Sequence, residues 1–347
     1  MHKPATLPYI MASAVLYVLD RLLRLVKSRI TSAYIRPLPE LDVTRVEVPS
    51  INAGWRAGQH IRLRVLTLQM GWLAWAETHP FTIANASHSP EGMVLLCKRA
   101  GDWTRKLFDV AKVSNKEGGM GSRVKVVVEG PYGGPGHTIY SSFSAAVLVV
   151  GGSGITYALS VIQDLIKKDL KGESRVKSID LVWSVPDPAN LSPLLPLLSS
   201  LIQESLYTPF RVCVFYTRAP TGKQPPFFTR TLLDDLFPGQ YQCPPPRSPQ
   251  PPGLNRNQSI RTPPGLPPGI TLSPGRPKFA KIFEDAIAHA VALGSGAKDD
   301  EPITGVVVGV CGPVNLADDV SKAVSAIDPV RRDQVGGVEI CEEVFGW

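Results

Sequence analysis

Ala145-Ala146-Val147-Leu148-Val149-Val150 runs directly into Gly151-Gly152-Ser153-Gly154-Ile155-Thr156, and this stretch decides the fold. Six apolar residues ending in a glycine turn read as a strand buried on both faces. Apolar spacing from about Ile155 to Leu170 then reads as a helix. Downstream the alternation continues, with strands at Ile179–Trp183, Phe210–Tyr216, Gly305–Val310 and near Val338–Ile340, and helices near Leu191–Leu206, Lys278–Leu293 and Leu316–Ile327. Strands alternating with helices predict a parallel sheet covered on both faces.

Upstream of Ala145 the period changes from helical to two. His60–Leu66 (H-I-R-L-R-V-L) alternates cleanly and Leu41–Val48 weakly; Pro80–Ile83, Val94–Cys97 and Val124–Val128 are further short apolar runs. Gly and Pro punctuate them. Only Trp103–Val113 has helical spacing, at 103, 107, 108 and 111. Strands with one short helix predict a small antiparallel barrel. The chain is thus α+β with two domains: a β-barrel over 30–137, then an α/β parallel-sheet domain over 138–347.

Residues 1–29 stand apart. Pro8–Leu19 is uncharged, and Asp20, Arg21, Arg24, Lys27 and Arg29 follow. A spanning helix needs ~20 apolar residues, so this run is short. Three readings compete: the end of a transmembrane helix with a basic cytosolic flank, a signal peptide, and an amphipathic surface helix. The first is preferred, because the small residues Met11-Ala12-Ser13-Ala14 fall inside the apolar run rather than after it.

Of 347 residues 33 are proline, about twice the ~5% average. Nearly half of them fall between Pro220 and Pro277, a segment expected to stay out of the sheet as disordered or polyproline-like chain, with Thr229–Leu236 a possible short helix. The 37 Lys+Arg against 30 Asp+Glu leave +7, but basic and aromatic residues are not interleaved, and no nucleic-acid partner is expected. Cys97, Cys213, Cys243, Cys311 and Cys341 form no C-x-x-C pair. They read as reduced thiols, with neither a disulfide framework nor a metal site.

Four elements carry chemistry. Gly151, Gly152 and Gly154, before a helix start at Ile155 and with the hydroxyl of Thr156, suit a phosphate; the spacing is not G-x-G-x-x-G, and a plain tight turn remains open. Cys311-Gly312-Pro313 ends a second apolar strand, though a buried cysteine is the commoner fate. His79-Pro80-Phe81-Thr82 lies on a barrel strand, where the pattern alone favours an edge strand with a core phenylalanine. Glu342-Glu343-Val344-Phe345-Gly346-Trp347 ends the chain with a flat aromatic able to cover a planar ligand.

Taken in order, H-P-F-T, G-P-Y-G (130–133), G-G-S-G-I-T, C-G-P and the terminal E-E-x-F-G-W resemble the cytosolic half of the ferric-chelate reductase family, related to the NADPH oxidases. Y-x-x-D-R-L-L-R-L at 17–25 also resembles that family's last membrane helix. The resemblance implies a flavoprotein of the ferredoxin-reductase type, its barrel holding FAD and its α/β domain NADPH. Carried over, His79, Pro80, Phe81 and Thr82 line the flavin. Lys98, Arg99 and Thr104 face the FAD pyrophosphate. Gly151, Gly152, Ser153, Gly154, Ile155 and Thr156 hold the NADPH pyrophosphate. Cys311, with Gly312 and Pro313, lies near the nicotinamide, and Trp347 stacks on the flavin until nicotinamide displaces it, so Trp347 and Cys311 are the catalytic candidates. The implied reaction is hydride transfer from NADPH to flavin, then one-electron steps to a ferric or cupric chelate at the plasma membrane, with the two domains facing the cytosol.

Two departures stand out. Where the family has an arginine after W-x-x, Trp183-Ser184-Val185 is followed by Pro186, leaving Arg218 and Arg276 as candidates for the 2′-phosphate. The family's haems sit on histidine pairs in membrane helices, and His2, His60, His79, His88, His137 and His289 build no such site; haem belongs to a full-length parent. Two further functions remain open: superoxide production, and a membrane-associated interaction protein whose proline-rich insert recruits SH3-like partners.

Overall fold

Alternating burial along His60–Leu66 shows how the first half closes: Ile61, Leu63 and Val65 are fully buried while the residues between them are half-exposed. The computed structural model describes residues 6–72, 75–115, 122–218, 266–293 and 302–344. Its contacts divide the chain into two compact units. One comprises Met1–Tyr140, Ser153–Lys168 and Cys341–Glu343; the other comprises Ser141–Gly152, Asp169–Ile340 and Val344–Trp347.

The first unit holds helix α1 (Leu7–Val26) and strands β1 (Ser28–Leu38), β2 (Val43–Val48), β3 (His60–Leu66), β4 (His79–Thr82) and β5 (Met93–Lys98). Helix α2 (Asp102–Asn115) and β6 (Ser122–Tyr132) follow. The strands form an antiparallel sheet in the order β4-β3-β6-β1-β2-β5. A single bridge between Ile83 and Leu95 nearly closes it into a barrel. Trp103, Leu107 and Ala111 of α2 enter the barrel core at the expected spacing, joined by Val110, while Phe108 is buried outside that cluster with Arg99 over its ring. Helix α3 (Ile155–Leu170) is tied to this unit by the Ser160 hydroxyl, which accepts from Gly58 N–H at 2.9 Å, and by a 2.6 Å Tyr140–Tyr157 hydroxyl pair. Burial raises the pKa of both phenols, so both stay protonated.

The second unit holds β7 (Ala145–Gly151), β8 (Ser178–Val185), α4 (Leu195–Glu204), β9 (Phe210–Tyr216), β10 (Ile270–Pro274), α5 (Phe279–Leu293) and β11 (Val306–Gly312). Helices α6 (Val314–Ser325) and α7 (Pro329–Gln334) and strand β12 (Val338–Val344) complete it. The sheet order is β10-β9-β8-β7-β11-β12, parallel from β10 through β11. All residues of β7 but its last are buried, as its unbroken apolar run requires. One face is covered by Phe283, Ile287 and Ala290 of α5 with Val320 and Val324 of α6. The order runs outward from β7 through β8, then returns to β11 on its other side, a topological switch point.

Helix α1 continues through Asp20 to Val26, as Leu22, Leu23, Leu25 and Val26 suggest, with no residue buried. No described helix is long and apolar enough to cross a membrane, because Asp20, Arg21 and Arg24 interrupt its apolar run. Other expectations need correction: strand β1, central in the barrel sheet, follows α1 after one residue, with no Gly or Pro between them to announce it. Ile270–Pro274, inside the segment expected to stay out of the sheet, pairs with β9. It succeeds because it is an edge strand and its proline comes last. The helix expected from Leu191 begins as a 3-10 turn over Pro188–Leu194, with Pro193 inside it. Residues 219–265, with the Thr229–Leu236 helix and the ligand sequence for an SH3-like partner, lie outside the described residues, as do Cys243 and Trp347. The other four cysteines are thiols.

Candidate functional site

In the barrel, β4 aims His79 and Phe81 at the start of α2. The Trp103 ring lies 4.4 Å from that of His79 and 6.0 Å from that of Phe81. Trp103 is 4% exposed, yet its indole N–H has no partner among the described residues. Thr82 is buried opposite His60, and Pro80 is exposed opposite Arg62. His79 also approaches the Glu77 carboxylate at 3.3 Å.

Lys98 ends β5 exposed. Arg99 is bound to Asp42 at 2.7 Å and lies over the Phe108 ring at 5.2 Å, so one of the two expected cations already has a carboxylate partner. The Thr104 hydroxyl is turned inward, accepting from Ala100 N–H at 3.0 Å and Gly101 N–H at 2.9 Å and donating to the Gly101 carbonyl. It shapes the turn before α2. Asp42 was missed because an ion pair across 57 residues leaves no local pattern.

In the second unit the switch point brings two sequence-distant turns together. A Cβ placed on Gly312 would lie 3.2 Å from Gly151 N and 3.4 Å from Gly151 Cα; one on Gly151 would lie 3.2 Å from Pro313 Cδ. The Leu316 side chain lies over both, its Cδ2 2.8 Å from a Cβ on Gly312 and 3.2 Å from one on Gly151, so the two glycines let these strand ends approach each other where an open α/β sheet takes its ligands. Trp183, not singled out in the sequence as a site residue, donates its indole N–H to the Gly152 carbonyl at 3.0 Å. Cys311 itself is fully buried in register with Val150 and presents no thiol surface, so Gly312 and Pro313 carry the accessible part of C-G-P.

Arg218 and Arg276 are both exposed, each two residues beyond paired Tyr216 and Pro274 at the ends of adjacent strands. Arg218 N–H donates to the Pro186 carbonyl at 3.0 Å, which places Arg218 where the W-x-x arginine is absent. After Gly152 the chain enters α3: Ser153 is exposed, Gly154 and Ile155 are buried, and the Thr156 hydroxyl donates to the Ser153 carbonyl at 3.0 Å.

Such residues fit their implied ligands: an indole N–H with no partner among the described residues, beside the His79 and Phe81 rings, suits a flavin nucleotide, and a junction of two glycine backbones suits a pyrophosphate. A near-closed antiparallel barrel with a switch-point parallel sheet defines the flavin- and nicotinamide-dependent reductase class. The fold agrees with that of flavohemoglobin from Malassezia yamatoensis, solved with bound FAD and heme, at a TM-score of 0.51 and 15% identity over 97% of this chain and 66% of that one. Residues 28–136 match the model of the FAD-binding domain, and residues 143–325, just over half the chain, match that of the ferric reductase NAD binding domain. The chain belongs to the ferric reductase family, as an oxidoreductase with FAD- and NAD(P)-binding domains.

Similar chains include probable ferric reduction oxidase 1 of Arabidopsis thaliana, 27% identical over 58% of this chain and 29% of that one. Ferric reduction oxidase 8, mitochondrial, from the same plant is 29% identical over 67% and 31%. Dual oxidase 2 of Rattus norvegicus is 30% identical over 50% and 11%. The chain spans less than a third of the length of these relatives.

Proposed function

We propose that the chain passes electrons from NADPH to a ferric or cupric chelate. The observation that carries this reading is the Gly151–Gly312 junction inside the ferric reductase NAD binding domain. Bound FAD supplies the conversion of hydride to single electrons, which no side chain of the protein can perform. The chain's own work is positioning. Phe81 and Thr82 line the flavin, Trp103 holds Phe81 and His79 in place, and Lys98 with Arg99 meets the pyrophosphate. Gly151, Gly152, Gly312 and Pro313 admit the nicotinamide dinucleotide against backbone. The whole is placed at a membrane, the plasma membrane by preference, with both units on the cytosolic side.

The test is anaerobic. Purified chain with added FAD is expected to retain a flavin spectrum that NADPH bleaches, and ferric citrate then yields a ferrous chelate. Retained flavin that no nicotinamide bleaches would sink the proposal. A second reading rests on the dual oxidase 2 similarity: dioxygen as acceptor. Cytochrome c reduction that superoxide dismutase abolishes, with no ferrous product, would favour it.

The two strand-end arginines give a sharper expectation. Charge-assisted hydrogen bonds contribute about 1.5–3 kcal/mol each, so Arg218→Gln and Arg276→Gln should each raise KM for NADPH at least about tenfold while leaving KM for NADH unchanged. Equal changes for both nucleotides would remove these arginines from the 2′-phosphate.

A further inference from the structure

The barrel wall beside α1 carries charges that the reductase chemistry does not use. The Glu129 carboxylate on β6 is 3% exposed. Tyr132 donates its hydroxyl to it at 2.9 Å, Arg24 of α1 stands 3.6 Å away and Arg64 of β3 3.7 Å. Two more cations cover the Tyr132 ring, Lys27 at 5.3 Å and Arg62 at 5.8 Å from its centroid. Asp20 is shared by Arg24 at 2.9 Å and Arg21 at 3.9 Å. Three of these five cations, Arg21, Arg24 and Arg64, meet the two carboxylates, and Lys27 and Arg62 meet only the Tyr132 ring. Glu129 and Tyr132 gather the positive charge without neutralising it, and the Arg24 and Arg64 side chains remain about a third exposed. His60, 6.1 Å from Tyr132, has its pKa lowered by burial and by Arg62, so it adds no charge at neutral pH.

Helix α1 rises from this patch with its apolar side chains in solvent. Leu16, Leu19, Leu22 and Leu23 are each at least half exposed, and none of its residues is buried. A bare apolar helix ending in a cationic cluster matches a lipid surface with negative headgroups. We propose that Arg24, Lys27, Arg62 and Arg64, gathered by Glu129 and Tyr132, dock the protein on the headgroups of an anionic bilayer whose apolar layer receives α1. This deepens the membrane placement above and rests on it.

The test uses the full purified chain and sedimentation with vesicles of phosphatidylcholine alone or mixed with phosphatidylserine. Wild type is expected to prefer the mixed vesicles at low salt and to lose that preference at high salt. Each basic side chain near an anionic surface contributes about 1 kcal/mol. The double variant Lys27→Gln/Arg62→Gln should therefore bind mixed vesicles about thirtyfold more weakly, with phosphatidylcholine binding unchanged. The charge-keeping pair Lys27→Arg/Arg62→Lys should retain the preference, separating charge from misfolding. Equal wild-type binding to both vesicles, or an undiminished preference in the Gln variant, overturns the headgroup site while the membrane placement stands. Binding to neither vesicle overturns both.

Discussion

Gly312→Val is expected to cut kcat/KM for flavin reduction by NADPH about a hundredfold, roughly 2.7 kcal/mol, while the bound flavin spectrum stays as in wild type. A Cβ at this position meets Leu316 Cδ2 at 2.8 Å and the Gly151 backbone at 3.2 and 3.4 Å. Leu316 can turn its side chain aside, but the end of β7, held in the sheet by β8 and β11, cannot retreat. Valine also fills the strand junction at which the dinucleotide is proposed to bind. The elements proposed to hold the flavin, His79–Thr82 with Lys98 and Arg99, belong to the barrel and keep their packing, so FAD retention is the internal control. Stopped-flow bleaching with NADPH reads the first quantity and absorbance after gel filtration the second. A rate close to wild type would move the dinucleotide away from the switch point.

How far the site was readable follows from what a sequence period carries. Period two along His60–Leu66 and the apolar runs of β7 and β11 state which residues are buried, and burial agrees residue by residue. A period does not say who touches whom. The Arg99–Asp42 pair, the inward Thr104 hydroxyl and the Trp183–Gly152 bond are made between residues whose types fit many partners. Cys311 shows what a period does carry: its place at a strand end and its burial were both legible, and its complete burial leaves the near-nicotinamide role without a thiol surface. Strand β10 was hidden for the opposite reason, since a local signal, proline density, overstated how much of the segment lies outside the sheet.

Gly92→Ala is expected to destabilise the barrel by more than about 4 kcal/mol, the exceptional end of single substitutions. Gly92 sits at φ +74° before β5, and an alanine in that left-handed region costs about 1–2 kcal/mol by itself. The larger part is steric. The new Cβ would lie 2.2 Å from the Val48 carbonyl oxygen and 2.6 Å from Pro49 Cα, main-chain atoms that no rotamer change can move. Val48 ends β2 and is paired with Met93 of β5, so relief means parting two strands whose side chains fill the core. It also disturbs Asn85, whose side chain donates to the Gly92 carbonyl at 2.7 Å and accepts from Val94 N–H at 3.0 Å. Against a typical total of about 5–15 kcal/mol, that loss leaves little barrel to hold a flavin. Gly54 supplies the comparison, with φ +100° and nothing within 4 Å of its Cβ. Gly54→Ala should therefore cost only the backbone share, about 1–2 kcal/mol. Urea unfolding of the two variants side by side decides the matter: matching losses would mean that the contact between Gly92 and the end of β2 is not what holds these strands together.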